Sequence, residues 1–172
     1  KIKNLNTVWP QPKKKKKIVI IGAGGIVTDA HLPAYKKGEY EVYGIYDPIM
    51  DKAIKCATDF GIKKVYKDLA DALEEEDVIF DIAVPPSVLL YIVRVIPKNS
   101  ICQFQKPLGN SLEEAREITK IVKEKKITAC VNLQLKFSPM MLALRDAIEK
   151  NMIGTITDIE VNLSVSTPWH LW

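Results

Sequence analysis

The chain carries the run KIVIIGAGGIV at residues 17–27, in which apolar, mostly β-branched residues lead directly into clustered glycines. The apolar part predicts a buried parallel strand, and the glycines predict a turn into a helix whose N-terminus can face a phosphate. Gly22 would permit the tight turn, and Gly24 would let the backbone approach a pyrophosphate that a Cβ atom would obstruct. The third fingerprint position holds Val27 rather than Gly or Ala, which predicts looser packing of the helix on the strand. The pattern favours dinucleotide binding over a plain turn in an α/β protein.

An acidic residue lies at the distance that this fingerprint requires. Residues 41–46 are typical of a second strand, and Asp47 follows them directly. A carboxylate at the tip of that strand can accept hydrogen bonds from both hydroxyls of an adenine ribose and would repel a 2′-phosphate. We therefore expect NAD rather than NADP as the cofactor. The alternative is that Asp47-Pro48 is an ordinary turn pair.

Composition and charge restrict the class of protein. The 172 residues are 47% hydrophobic and 27% charged, which is typical of a soluble globular protein. Five positive charges of the net +4 come from Lys13–Lys17, so the rest of the chain carries −1. We interpret residues 1–16 as a solvated lead-in rather than a nucleic-acid-binding tail.

The cysteines indicate the compartment. Cys56, Cys102 and Cys130 show no metal-ligand spacing such as CxxC, so no metal site is expected. An odd number of cysteines without a secretory segment points to a reducing, cytoplasmic environment. Because no apolar run approaches the length of a membrane span, we expect no membrane partner.

Strand and helix patterns alternate over the first 130 residues, with short loops between them. This predicts an α/β, Rossmann-type domain over residues 17–132, in which helices cover both faces of a parallel sheet. Ser87 is predicted to cap the helix that follows the proline pair. Ligands of such sheets lie beyond the carboxyl ends of the strands. One edge of the sheet should therefore hold Gly22, Asp47, Pro85 and Gln105-Lys106-Pro107.

The pattern changes after Asn132. A helix face is followed by residues 156–165, which alternate apolar and polar side chains like a long, half-buried strand. Residues 133–172 are therefore predicted to begin a second, α+β domain with a mostly antiparallel sheet. Because a lone strand is not a stable terminus, we expect this domain to be incomplete. Its sheet is also the expected surface for homo-oligomer formation.

Taken in order, these residues resemble the Gfo/Idh/MocA oxidoreductases, the relatives of glucose-fructose oxidoreductase and inositol dehydrogenase. The resemblance runs from about Lys17 to the end, and the pair Lys106-Pro107 is its most specific element. It implies that the first domain binds NAD(P) and that the second holds a sugar or cyclitol over the nicotinamide. The cofactor-binding residues expected on this basis are Gly22, Gly24, Gly25, Ile26, Val27, Asp47, Pro85, Pro86, Ser87, Gln105, Lys106 and Asn132.

Lys106 is the catalytic residue that the resemblance implies, through a hydrogen bond to the reacting hydroxyl. The chemistry supports this role, because an ammonium group beside a carbinol oxygen stabilises developing alkoxide charge while a neighbouring base takes the proton. The alternative is a lysine that is merely solvated in a loop.

Some features depart from the family pattern. Gln105 stands in place of the usual glutamate, and Val88 stands where a histidine often follows the proline-rich turn. The family's Asp-xxx-His pair, which usually supplies the proton acceptor, is not found. Trp169 and His170 are candidates for substrate contact, with a plain cluster at the end of a strand as the alternative. His31 is interpreted as structural.

The sequence thus predicts an NAD-preferring oxidoreductase that interconverts a secondary alcohol and a ketone of a sugar-like polyol. The rival interpretation, from a different class, is a dinucleotide-binding regulatory or scaffold subunit without catalysis. The expected partners are a small polyol and further copies of the chain. The particular polyol, the direction of the reaction and the number of subunits do not follow from the sequence.

Overall fold

The computed structural model describes residues 4–164. These residues form two compact units, one made of residues 11–133 and the other of residues 4–10 together with 134–164. The larger unit corresponds to the candidate dinucleotide-binding domain, and the smaller one is described separately.

The larger unit contains a six-stranded sheet in the order β3-β2-β1-β4-β5-β6, with every pair of neighbours parallel. This is the Rossmann order, in which the direction of winding reverses between β1 and β4. The predicted α/β fold class is therefore confirmed. The strands are β1 Lys17–Ile21, β2 Val42–Tyr46, β3 Lys64–Val65, β4 Val78–Ile82, β5 Ile101–Phe104 and β6 Thr128–Val131.

Helices connect the strands and cover both faces of the sheet. A π-helical turn, Val27–His31, leads into α1 at Leu32–Lys37. The later helices are α2 Met50–Phe60, α3 Leu69–Leu73, α4 Pro86–Val95 and α5 Leu112–Glu124. Ser87 lies inside α4 and does not cap it, because α4 starts two residues earlier than expected and Pro85 occupies the N-cap position. Proline is well tolerated at the start of a helix, since its missing N–H would have no partner there.

The core divides into two clusters because side chains alternate along each strand. Val19 and Ile21 of β1 point into the cluster that contains buried residues of α4 and α5. Ile18 and Ile20 point to the opposite face, among buried residues of α1 and α2. Full burial of each such side chain is worth about 1.5–3 kcal/mol, so both faces contribute to holding the strand ends in place.

Most of the clustered lysines at residues 13–17 are exposed, and three of them contact the larger unit. The Lys15 ammonium donates to the carbonyl of Gly38 at 2.7 Å. Lys16 pairs with Asp77, and the Lys17 ammonium lies 4.7 Å from the centre of the Tyr43 ring.

The smaller unit contains a 3-10 turn, Gln134–Phe137, and the helix α6, Pro139–Glu149. The N-terminal residues pack on this helix. The backbone N–H of Asn6 donates to the Asp146 carboxylate at 2.9 Å, and the rings of Trp9 and Phe137 meet edge to face at 4.9 Å.

The long strand predicted at residues 156–165 is not found. Residues 155–164 have no regular secondary structure, and Val165 lies outside the described residues. Ile159, Val161 and Leu163 are 72–81% exposed. Apolar alternation encodes a face that could be buried, but a strand also needs a neighbour for its backbone hydrogen bonds, and no described strand pairs with this segment. The expected antiparallel sheet is accordingly absent from residues 4–164. No helix within those residues is long and apolar enough to cross a membrane.

Candidate active site

The glycine-rich turn after β1 is built around a close approach of two backbones. Gly22 has φ +108°, and its N–H donates to the carbonyl of Tyr46 at 2.7 Å. A Cβ atom at this position would lie 2.4 Å from the carbonyl oxygen of Ala83. Glycine is therefore required here for two reasons, the positive backbone angle and the close approach of the Ala83 backbone that follows β4.

Gly24 is glycine for a different reason. A Cβ atom added there would meet no protein atom within 4 Å, so nothing in the described fold demands its absence. The Gly24 carbonyl accepts from the N–H of Val27 at 2.9 Å and from that of Thr28 at 3.3 Å, which begins the helix. The space in front of Gly24 at the N-terminus of this helix is of the kind in which other Rossmann proteins hold a diphosphate. The residues present therefore fit a dinucleotide.

Val27 occupies the third fingerprint position, where Gly or Ala would keep a helix close to its strand. It is completely buried. The helix instead widens at this point, because the N–H of Leu32 donates to the carbonyl of Val27 five residues earlier, which defines the π turn. This wider turn ends at His31.

Asp47 connects the glycine-rich turn to the loop after β2. One carboxylate oxygen accepts from the N–H of Ala23 at 2.7 Å and the other from the N–H of Ile49 at 2.8 Å. The residue is only 9% exposed. Because each carboxylate oxygen has a further acceptor position, these bonds are compatible with the predicted contact to a ribose. Its role at the ribose stays a prediction.

The ends of β1, β4, β5 and β6 lie side by side. The backbone hydrogen bonds continue past the strands, with Ala83 N–H donating to Ile21 at 2.9 Å, Gln105 N–H to Ile82 at 3.0 Å and Asn132 N–H to Phe104 at 2.8 Å. This brings two predicted site residues of the later strands, Gln105 and Asn132, to neighbouring positions at the edge where Gly22 also lies.

Lys106 is the second residue after β5, which ends at Phe104. The residue is exposed, its peptide bond to Pro107 is cis, and its N–H donates to the side-chain oxygen of Gln105 at 2.8 Å. The lysine thus projects from the carboxyl edge of the sheet while its backbone is fixed by the preceding side chain. Pro85 and Ser87, which follow β4 at the same edge, are exposed as well, and Pro86 is partly buried.

A buried polar cluster beneath this edge was not predicted. Its centre is Asp81, which is 0% exposed in the middle of the sheet. The carboxylate accepts from Nδ1 of His31 at 2.7 Å and from the Tyr35 hydroxyl at 2.8 Å, and the Gln103 amide lies 3.4 Å from it. Burial, followed by the charge of Asp81, raises the pKa of Tyr35 well above its ordinary value, so this hydroxyl stays a donor.

The other ring nitrogen of His31 faces the strand ends. Nε2 lies 3.1 Å from the side-chain nitrogen of Gln105 and 3.3 Å from that of Asn132. Both amides are donors in this orientation, so Nε2 is the acceptor and Nδ1 carries the proton that Asp81 receives. This tautomer is inferred from the network of partners rather than from a hydrogen position.

Two surface grooves lie near different ends of the strands. A groove of about 430 Å³ lies against the glycine-rich turn and is lined by Ala23, Gly24, Gly25 and residues of α2 that include Lys52 and Lys55. A larger one, about 620 Å³, includes the amino ends of β4 and β5 among its walls. Ligands of parallel sheets bind at the carboxyl ends, so the smaller groove is the relevant one. Among residues 4–164, no group of His, Cys, Asp and Glu has the arrangement of a metal site.

Residues 16–133 match the family GFO_IDH_MocA, described as an oxidoreductase family with an NAD-binding Rossmann fold. The chain belongs to this family. The resemblance drawn from the glycines, Asp47 and Lys106-Pro107 is confirmed, as is an NAD-binding oxidoreductase fold at the level of the family.

The individual proteins and solved structures that this chain is similar to are distant in sequence. The Salmonella typhimurium protein named "Putative oxidoreductase YceM" is 24% identical over 147 residues, which cover 85% of this chain and 46% of that protein. An apo scyllo-inositol dehydrogenase from Lactobacillus casei is 15% identical with a TM-score of 0.70, covering 86% of this chain and 45% of its own. A super-repressor mutant of Gal80p from Saccharomyces cerevisiae is 18% identical with a TM-score of 0.70, covering 82% and 40%. The chain spans less than half the length of each of these relatives.

The structure gives a reason for the glutamine that replaces the family's usual glutamate. Gln105 accepts from the N–H of Lys106 through its oxygen and donates to His31 through its nitrogen. A carboxylate could make the first contact, but it has no proton to donate to Nε2 of a histidine in this tautomer.

The buried cluster had a signal in the sequence. In a strand, every second residue points to the same face. Asp81 pairs with Gln103, which pairs with Cys130, so polar residues form a row across β4, β5 and β6. Gln105 and Asn132 lie two residues further along the chain, directly after the ends of β5 and β6. Alignment of the three strands shows the row, whereas Asp81 taken alone is only a break in an apolar run. Trp169 and His170 lie outside the described residues.

Proposed function

We propose that this protein transfers a hydride between a nicotinamide cofactor, with NAD preferred, and a secondary alcohol or ketone of a sugar or cyclitol. The observation that carries the proposal is a shared edge. The glycine-rich turn with its open position at Gly24 and the exposed Lys106 both lie at the carboxyl ends of the same parallel sheet.

The residues proposed to bind the cofactor lie at the glycine-rich turn after β1 and directly after β2. The N–H groups at the start of the helix after Gly24 would receive the diphosphate, because a helix N-terminus carries partial positive charge. Asp47 would accept from the ribose hydroxyls with the free acceptor positions of its two oxygens. When bound, the nicotinamide supplies the hydride chemistry.

The chemical role belongs to Lys106. Oxidation of a carbinol requires loss of the hydroxyl proton, and an ammonium group held near that oxygen stabilises its developing negative charge. Reduction of a ketone uses the same contact in reverse. Gln105 holds the backbone N–H of Lys106, so less of this loop would have to be ordered when the ammonium is placed at the substrate oxygen.

The preference for NAD rests on the charge and burial of Asp47. A 2′-phosphate on the ribose would approach a carboxylate that is already held by two backbone N–H groups and cannot turn away. Fluorescence titration of the protein with NADH and NADPH tests this. Tighter binding of NADH is expected, and equal or tighter binding of NADPH would contradict the placement of Asp47 at the ribose.

A second candidate function is a dinucleotide-binding regulatory or scaffold subunit. Among the described residues, the one histidine, His31, has both ring nitrogens engaged and is not free to take a substrate proton. The Gal80p structure shows that this fold also occurs in a repressor. NADH binding without oxidation or reduction of any polyol in a panel of sugars and cyclitols would favour this second function.

The further proposals concern the ligand class, the location and the assembly of the protein. A small polyol is the expected ligand, rather than nucleic acid or a membrane, because three of the five clustered lysines already contact the protein itself. A cytoplasmic location is proposed from the free Cys56, Cys102 and Cys130. Homo-oligomer formation through the C-terminal residues is kept as a proposal that gel filtration with light scattering would test.

A further inference from the structure

We propose that His31 is a positioning residue for Lys106, acting through the side chain of Gln105. The inference rests on the proposed function in so far as Lys106 is the group that needs positioning. It assigns to the histidine a role beyond that of a buried partner for Asp81.

The chain of contacts begins at the Asp81 carboxylate. This group accepts from Nδ1 of His31 at 2.7 Å, in a place where His31 is 6% exposed and Asp81 is 0% exposed. If the ring carried its proton on Nε2 alone, a lone pair would face a carboxylate oxygen across that distance without solvent. Of the two neutral tautomers, Asp81 therefore selects the one in which Nε2 is an acceptor.

The tautomer of His31 in turn selects the orientation of Gln105. The Gln105 amide nitrogen lies 3.1 Å from Nε2, so its oxygen faces the other way and accepts from the Lys106 N–H at 2.8 Å. With the amide reversed, its oxygen would face the Nε2 lone pair and its NH₂ group would face the Lys106 N–H. Both hydrogen bonds would be lost together. Asn132, at 3.3 Å, supports the same arrangement from β6.

The competing explanation is that His31 only satisfies the buried charge of Asp81. That explanation concerns Nδ1, whereas the positioning role concerns Nε2. Asp81 also has the Tyr35 hydroxyl at 2.8 Å, which provides a way to perturb the carboxylate without touching Gln105. The two roles can thus be separated by substitution.

Two replacements of His31 test the roles of its two ring nitrogens separately. In His31→Gln the side-chain amide reaches about as far as Nε2 and can accept from Gln105. In His31→Asn it reaches only about as far as Nδ1, where it can contact Asp81. Tyr35→Phe is the matched control, because it removes a hydrogen bond to Asp81 and leaves the path from His31 to Lys106 intact.

The measurement is amide hydrogen exchange of Lys106 by NMR in the protein without cofactor, with each rate divided by that of Val19 in the central strand. Loss of one hydrogen bond should speed exchange by about tenfold in His31→Asn. The normalised rate in His31→Gln and in Tyr35→Phe should stay within about threefold of the original. A His31→Asn rate within the same range, or a rate in Tyr35→Phe that rises as much, would overturn the proposal.

The same variants keep this inference separate from the proposed function. If the protein turns over a polyol, His31→Asn should lower kcat while the Kd for NADH changes little, and His31→Gln should recover part of the loss. If no NADH binding or turnover is found, the proposed function fails, but the exchange result still decides whether His31 holds the backbone of Lys106.

Discussion

Two glycines of the same turn should respond in opposite ways to the addition of one methyl group. Gly22→Ala places a Cβ atom 2.4 Å from the Ala83 carbonyl oxygen, at a backbone angle of +108° that side chains rarely adopt. The strained angle and the overlap together should cost about 3 kcal/mol or more of the free energy of unfolding. Gly24→Ala meets no atom within 4 Å and has no positive φ. It should leave stability unchanged or raise it by about 0.4–1 kcal/mol, because alanine restricts the unfolded chain.

NADH binding, in contrast to stability, should be more sensitive to Gly24→Ala than to Gly22→Ala. The Gly24 methyl group would occupy the space proposed for the diphosphate. Loss of one hydrogen bond between a backbone N–H and a charged phosphate is worth about 1.5–3 kcal/mol, so NADH should bind at least about tenfold more weakly to Gly24→Ala. The stability loss in Gly22→Ala corresponds to a fall in Tm of about 10 °C for a chain of this size.

Thermal unfolding by circular dichroism and NADH fluorescence titration, made on both variants, provide the assay. Comparison of the two variants distinguishes Gly22, which the fold requires, from Gly24, which the proposed ligand requires. A Gly24→Ala variant that is as stable as the original and binds NADH with the same Kd would refute the placement of the diphosphate. A Gly22→Ala variant with an unchanged Tm would refute the packing argument.

Three further outcomes are expected. In any turnover that the protein supports, Lys106→Ala should lower kcat/KM by about 100-fold with little change in the Kd for NADH, whereas the exposed Lys123→Ala should change neither; near-normal turnover would remove Lys106 from the mechanism. Asp81→Asn should lower the free energy of unfolding in urea by about 2 kcal/mol, because buried donors lose an anionic acceptor, and a loss below about 0.5 kcal/mol would contradict that role. Burial raises the pKa of the Cys102 thiol to about 12, whereas in the unfolded chain it loses its proton near pH 9, so the unfolded state is increasingly favoured above that pH. Between pH 9 and 10 the free energy of unfolding should therefore fall by about 1 kcal/mol more than it does in Cys102→Ala, and equal losses would exclude the thiol as the cause.

The Rossmann unit could be predicted because its determinants are local. Apolar runs that end in glycine or proline and alternate with helix patterns fix the type and order of the elements, and the parallel order of strands follows from that alternation. The same reasoning placed Gly22, Asp47 and Gln105 at one edge. It did not foresee the π turn that begins at Val27, because a widened helical turn has no recognisable pattern in a single sequence.

The polar cluster was not predicted, and the strand predicted at residues 156–165 was not found, for the same physical reason. Each depends on what lies opposite a residue in space. Asp81 is tolerated in the sheet because His31 and Tyr35 reach it from another element, and residues 156–164 alternate like a strand but have no described neighbour to bond with. Periodicity reports the faces of a segment, whereas pairing decides what those faces meet.

The π turn at Val27–His31 sets the angular phase of its helix. Each residue of an α-helix advances the side-chain direction by about 100°, so one additional residue in a turn rotates everything that follows by that angle relative to everything before it. The residues ahead of the turn are aligned with the glycine-rich loop, and those from His31 onward are aligned with Asp81. Deletion of one residue within the turn would leave a regular helix whose two halves could not serve both neighbours. In this chain the spacing between the loop glycines and the histidine is therefore as restrictive as the identities of the residues themselves.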